Sequence, residues 1–188
     1  MEILLSLFIG LGLSAACGFR VFVPLLVTSL ASRADWLSVS GGFDWIASTP
    51  ALIAFSAATA LEIGGYYLPW IDNLLDTVAT PTAVLAGILV SASTLADVDP
   101  FLKWTLAILA GGGTAGIFQG FTTIARQVST LSTGGLGNPV LATAEAGGSA
   151  LLAVLAVTLP VIAVLIVAAL LFMGVKRLLF RRPVARTP

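Results

Sequence analysis

Apolar residues fill this chain in long blocks, and charged residues punctuate the blocks at intervals close to one membrane crossing. A helix needs about 20 apolar residues to cross a hydrocarbon core ~30 Å thick. Five stretches reach that size: residues 3–31, 46–70, 77–96, 101–129, and the uncharged run between Glu145 and Lys176. As a single helix that last run would extend about 45 Å, so it must tilt, kink at Pro160 or begin outside the hydrocarbon. The pattern predicts an all-α membrane protein with about five transmembrane helices interrupted by Gly and Pro. It reads as one transmembrane domain, residues 1–180, followed by a basic cytoplasmic tail, residues 181–188.

Composition narrows the class further. Hydrophobic residues make up 58% of the 188 and charged residues 10%, with a mean hydropathy of +1.06. Soluble domains carry roughly 25% charged residues, so this chain cannot clothe a globular surface, and it is too apolar for disorder. The nine basic and nine acidic residues cancel. No basic stripe with interleaved aromatics provides a nucleic-acid footprint. One cysteine, Cys17, excludes an internal disulfide. The lack of histidine removes the commonest transition-metal ligand and imidazole acid–base chemistry, and no cofactor is expected. Residues 3–17 have the hydropathy of a signal peptide, but no cationic side chain precedes them, so they are expected to remain as a transmembrane segment.

Charge placement sets the expected orientation. Lys176, Arg177, Arg181, Arg182 and Arg186 crowd the C-terminus and belong in the cytoplasm by the positive-inside rule. Counting back through five spans puts the N-terminus outside, Arg33 and Lys103 in cytoplasmic loops, and Asp72 and Asp76 in an external one. Trp36, Trp45, Trp70 and Trp104 fall at span ends, as an interfacial aromatic belt requires. The expected location is the cytoplasmic (inner) membrane.

Four charges fall within or beside apolar stretches: Arg20, Glu62, Arg126 and Glu145. Each costs about 2.5–3.5 kcal/mol at a helix centre, and four unpaired would cost on the order of 10 kcal/mol. They are therefore expected to be paired, near an interface or beside a hydrated cavity. Arg126 could instead snorkel from a helix end, Glu145 could sit in the external loop, and Arg20 and Glu62 could form a structural ion pair. A weak repeat relates Gly18–Pro24 to Ile124–Thr130, and Ala58–Gly65 to Ala142–Gly148. In the five-span model its halves would be inverted, a transporter signature.

Pro24, Gly64-Gly65, Gly111–Gly113, Gly134-Gly135 and Gly147-Gly148 interrupt the apolar stretches. Close helix packing also favours small residues. The polar, uncharged stretch 129–139 follows Arg126 directly. In it Gly134 and Gly135 would turn the chain, with Asn138 capping a helix that starts at Pro139. Such a turn can aim backbone N–H groups at an anion, and Glu145 would compete with that anion or respond to it by taking a proton. An ordinary loop uses the same residues.

Gly18-Phe19-Arg20 with Phe22 and Pro24, together with Ala125-Arg126 through Ser132-Thr133-Gly134-Gly135-Leu136-Gly137-Asn138-Pro139 to Glu145, resemble a family of small bacterial integral membrane proteins known as domain of unknown function 4126. The resemblance spans nearly the whole chain. It implies a compact helical protein of the cytoplasmic membrane and singles out Arg20, Arg126, Asn138 and Glu145 as motif positions. It implies no activity.

The expected function is a small transporter or channel-like permease for an anionic or zwitterionic solute, with proton coupling through Glu62 or Glu145. Arg20, Glu62, Arg126, Asn138, Glu145, Gly134 and Gly135 are the candidate substrate-binding residues. Five spans leave little room for an internal pathway, so a homodimer or larger homo-oligomer is expected. The partners are the bilayer and a small solute or ion, not nucleic acid. A carrier or enzyme for a phosphorylated lipid is the alternative, but no nucleophile–base pair can be named and no enzyme is expected. A scaffold or assembly factor without substrate would instead hold the Arg and Glu side chains in dry, satisfied pairs.

Overall fold

The computed structural model describes residues 2–67 and 69–179, apart from the side chains of residues 69–74, 76 and 178–179. The tail 181–188 and the side chains of Trp70, Asp72 and Asp76 lie outside the described residues. Among the described residues eight α-helices follow one another: α1 (Glu2–Phe19), α2 (Phe22–Arg33), α3 (Thr49–Gly65), α4 (Pro69–Thr94), α5 (Pro100–Leu106), α6 (Gly113–Thr133), α7 (Asn138–Thr158) and α8 (Pro160–Leu179). A π-helical turn, Ala107–Gly112, makes α5 and α6 continuous. No strand occurs among the described residues.

Among the described residues five helical stretches are long and apolar enough to cross a membrane: Glu2–Phe19, Thr77–Thr94, Pro100–Thr133, Asn138–Thr158 and Pro160–Arg177. The expected number holds, but the boundaries differ. Residues 3–31 form two helices. Pro24 has no N–H to donate, and its ring would collide with the carbonyl of Arg20 four residues back, so the helix breaks at Arg20–Val21. The expected fifth span divides in the same way before Pro160, where Leu159 leaves helical geometry (φ −137, ψ 64). The second reduces to α3, whose 17 residues extend only about 26 Å. Asp72 and Asp76, expected in a loop, fall within α4.

Contacts fix the direction of each helix. Gly10 of α1 meets Ser91 and Thr94 of α4, while the Ser14 hydroxyl donates to the Gly87 carbonyl, so α4 runs against α1. Gly12 meets Ala156 and the Ser149 hydroxyl donates to the Ala16 carbonyl, so α7 also runs against it. Gly111 packs on Ser91, near Gly10, and Phe118 packs on Gly18; α6 therefore runs with α1. Ala163 lies near Gly12, and Arg177 shares a groove with Phe19, so α8 does too. After Arg20 the chain doubles back: Val27, Leu30 and Ala31 of α2 lie against Val154, Val157 and Thr158. α3 then returns and brings Glu62 to Val21. Helices α1 and α2 are thus a hairpin with Arg20 at its tip.

The bundle has an amino end, where α1 starts, and a carboxyl end, where α8 finishes. Arg33 and Lys103 belong to the amino end. Lys103 donates to the Ser40 hydroxyl (2.9 Å), and the Ser40 amide donates to the Ser93 carbonyl beside the end of α4. The expected placement of both cations beside the C-terminal tail is therefore corrected, because the hairpin adds a reversal that hydropathy does not register. Trp36, Trp45 and Trp104, all substantially exposed, are also at the amino end. The arginine-bearing helices α1 and α6 run parallel, whereas α3 and α7, which carry Glu62 and Glu145, run oppositely. The sequence echo does not correspond to an inversion of these helices.

Small residues let the backbones approach, as helix packing in lipid requires. A Cβ at Gly18 would lie 2.4 Å from the Phe118 Cβ and 2.6 Å from the Ala115 carbonyl oxygen. Leu13, Cys17, Leu25, Val90, Phe118 and Leu152 share the surrounding core. Gly147 and Gly148 lie inside α7 and do not interrupt it, and Gly111–Gly112 widen a continuous helix instead of ending it.

Candidate functional site

The break at Arg20 creates the site. Ending α1 there frees the amides of Val21 and Phe22 from helical partners. Glu62 of α3 accepts both, Val21 N–H at Oε1 (2.7 Å) and Phe22 N–H at Oε2 (3.0 Å). A carboxylate at the start of α2 also meets the positive end of that helix dipole. Glu62 thus stabilises the hairpin turn, rather than neutralising Arg20 as an ion-pair partner.

Arg20 itself turns to α7. Its Nη2 lies 3.1 Å from Glu145 Oε2 and donates to the Ala142 carbonyl oxygen (2.9 Å). Arg126 of α6 reaches the same carboxylate, with Nε donating to Oε1 (3.2 Å) and Nη2 to Oε2. One carboxylate therefore holds two guanidinium groups. The Tyr66 ring, just past the end of α3, lies against both: its centroid is 3.7 Å from the Arg20 Cζ and 4.0 Å from the Arg126 Cζ. Cation–π contacts of this kind are worth about 2 kcal/mol or more when desolvated. Arg20 is 1% exposed, Arg126 4% and Glu145 8%. The snorkelling Arg126 and the loop-borne Glu145 are therefore corrected: α6 and α7 continue about 10 Å past these residues, toward the carboxyl end.

The cluster is short of acceptors. Arg20 Nε and Nη1 are buried without a hydrogen-bond partner. Leaving charged donors unsatisfied is costly, and an arginine offers five N–H donors in a fixed fork. On its other side Arg126 lines an open cleft of about 550 Å³ with Thr77, Thr123, Gln127, Thr130, Leu131 and Asn138. The site thus joins a buried charge centre to a polar opening between α4, α6 and α7. Among the described residues no group of His, Cys, Asp or Glu could hold a metal ion.

Of the candidate residues, Arg20, Arg126 and Glu145 meet directly, and Glu62 holds the turn next to Arg20. Asn138 lines the cleft, its Nδ2 donating to the Thr130 hydroxyl (3.2 Å). Gly134, exposed, and Gly135, half-buried, turn the chain at positive φ (63 and 89), away from the cluster. The expected anion-binding loop is corrected. Residues 129–133 are helical, and the amides of Leu136, Gly137 and Asn138 bond within the turn, to the Thr133 carbonyl, the Thr133 hydroxyl and the Gly135 carbonyl. Gly137, not Asn138, precedes the first helical residue of α7. Sequence reasoning missed Tyr66, whose only signal was an aromatic directly after Gly64-Gly65. It also missed Ser149, whose hydroxyl ties α7 to the Ala16 carbonyl (2.9 Å).

No curated protein and no solved structure matches the chain. A family model does match, the domain of unknown function DUF4126, over residues 7–179. That range takes in the arginine break, the shared carboxylate and the cleft, and by it this chain belongs to the DUF4126 family.

Proposed function

We propose that the protein is a permease of the cytoplasmic membrane that moves a small anionic or zwitterionic solute, coupled to protons, with its N-terminus outside and its C-terminus in the cytoplasm. The observation that carries this reading is the double membership of Arg126. It belongs to the buried Arg20–Glu145–Arg126 centre and also to the wall of an open polar cleft. Intramembrane ionisable groups that only lock helices need no opening, whereas those that meet a solute do. The guanidinium donors of Arg20 that lack an acceptor favour an anionic group. The orientation draws on the five cations of the last 13 residues, Lys176, Arg177, Arg181, Arg182 and Arg186, which outnumber Arg33 and Lys103 at the amino end. A homodimer or larger homo-oligomer belongs to the same reading.

The test is uptake by proteoliposomes of labelled lactate, glycine, glutamate and phosphate, each supplied outside in turn. At least one solute is expected to move faster than in protein-free vesicles, and Arg126→Ala is expected to abolish the difference. Absence of flux across the panel by folded protein refutes the reading. The lipid-carrier alternative draws on a different feature, an apolar groove of about 340 Å³ between Phe19, Phe118, Phe121, Ile124, Leu170 and Met173, with Arg177 at its edge. A phospholipid retained through purification and lost in Arg177→Ala would favour it.

A further inference from the structure

We propose that Glu145 is a built-in stand-in for the solute: a small monocarboxylate displaces its side chain from Arg20 and Arg126, and a proton taken from water onto Glu145 lets it leave. The inference deepens the permease reading by naming a substrate class and a coupling group.

The geometry is that of carboxylate recognition. Glu145 presents one planar, singly charged group whose Oε1 takes Arg126 Nε and whose Oε2 takes Arg126 Nη2 and Arg20 Nη2. Paired N–H···O bonds of this sort match a carboxylate in shape as well as charge. A free carboxylate of similar size can reproduce each of them. The cluster also has donors to satisfy, because Arg20 Nε and Nη1 are buried without partners. Glu62 cannot satisfy them while both of its oxygens hold the amides of Val21 and Phe22. The cleft touches this centre at Arg126, while Arg20 and Glu145 lie behind its wall. An arriving anion therefore meets Arg126 first, and reaches the open donors of Arg20 as Glu145 moves aside.

Charge decides the coupling. The ionisable groups facing Glu145 are Arg20 at the tip of the α1–α2 hairpin, Arg126 of α6, and Glu62 and Tyr66 from the end of α3. Arg33 of α2 is held at the amino end by the Ala47 carbonyl, and Arg177 of α8 lies in the groove beside Phe19. Displaced as an anion, Glu145 would become an unpaired charge in the bundle, at high cost. Displaced as the neutral acid, it carries one proton for each monocarboxylate bound. The centre's net charge is then unchanged.

The test is calorimetric titration of the full-length purified protein with acetate and lactate, in buffers of differing ionisation enthalpy, with chloride and phosphate as comparisons. We expect roughly one proton taken up per carboxylate bound. Glu145→Gln is expected to bind the same anions with no proton uptake and at least about tenfold more tightly, since the internal competitor is gone. The wild-type proton count needs no variant, so a poorly folding Glu145→Gln leaves the proposal testable. Carboxylate binding without proton uptake overturns it. So does weaker binding by folded Glu145→Gln, equal binding of chloride or phosphate, or no binding of either carboxylate. Proton-linked binding without vesicle flux would refute the permease reading and leave this inference standing. Flux without proton-linked binding would do the reverse.

Discussion

At the residue scale the decisive fact is that one carboxylate serves two arginines. Removing one partner of a buried pair typically costs about 3–5 kcal/mol, because the remaining charge stays buried. Arg126→Ala should therefore lower unfolding stability in detergent by about that amount, and Glu145→Ala should do likewise. Together they should cost less than their sum, since residues in contact do not act independently. A double-mutant cycle by denaturant titration measures the coupling, and additive losses would remove the proposed pairing. Arg20, Arg126, Glu62 and Glu145 could be picked out from the sequence because a charge in an apolar stretch is expensive wherever it points. Their pairing could not. Arg20 bonds to residues more than a hundred positions away, and which of two glutamates it meets depends on the path of the chain between them. Tyr66 was hidden for another reason: an aromatic at a helix end satisfies an interfacial belt as well as a cation.

At the element scale the hairpin and the glycine contacts decide the architecture. Hydropathy registers how apolar residues 3–31 are and carries no information on direction, so α1 and α2 read as one span. The informative signal was local: Pro24 follows Arg20 by four residues, the distance at which its ring meets a carbonyl. The glycines divide in a similar way. Gly18 sits against α6 with no room for a methyl group, whereas Gly120 has nothing near it. Gly18→Ala should destabilise by about 1–3 kcal/mol through overpacking. Gly120→Ala should be neutral or gain up to about 1 kcal/mol from helix propensity. Thermal unfolding of the two variants side by side checks this, and equal effects would mean that α1 and α6 are not in close contact.

At the scale of the whole molecule, the start of α1 and the end of α8 lie at opposite ends, and the loop bearing Arg33 shares the amino end with the start of α1. Cys17 is buried, so a surface cysteine can be labelled against a silent background. Gly41→Cys, at an open position near the amino end, should react with a membrane-impermeant maleimide in intact cells. Leu136→Cys, in the exposed turn between α6 and α7, should react only after the membrane is broken. Labelling of both from the same side would overturn the helix directions described above. The hairpin also constrains how the molecule is made. As the ribosome delivers the chain, Arg20 emerges long before the acidic residue of α7 that neutralises it. A bare guanidinium left at depth would bear an insertion penalty of about 2.5–3.5 kcal/mol. The ion pair that relieves this penalty can therefore form only once α7 has been made.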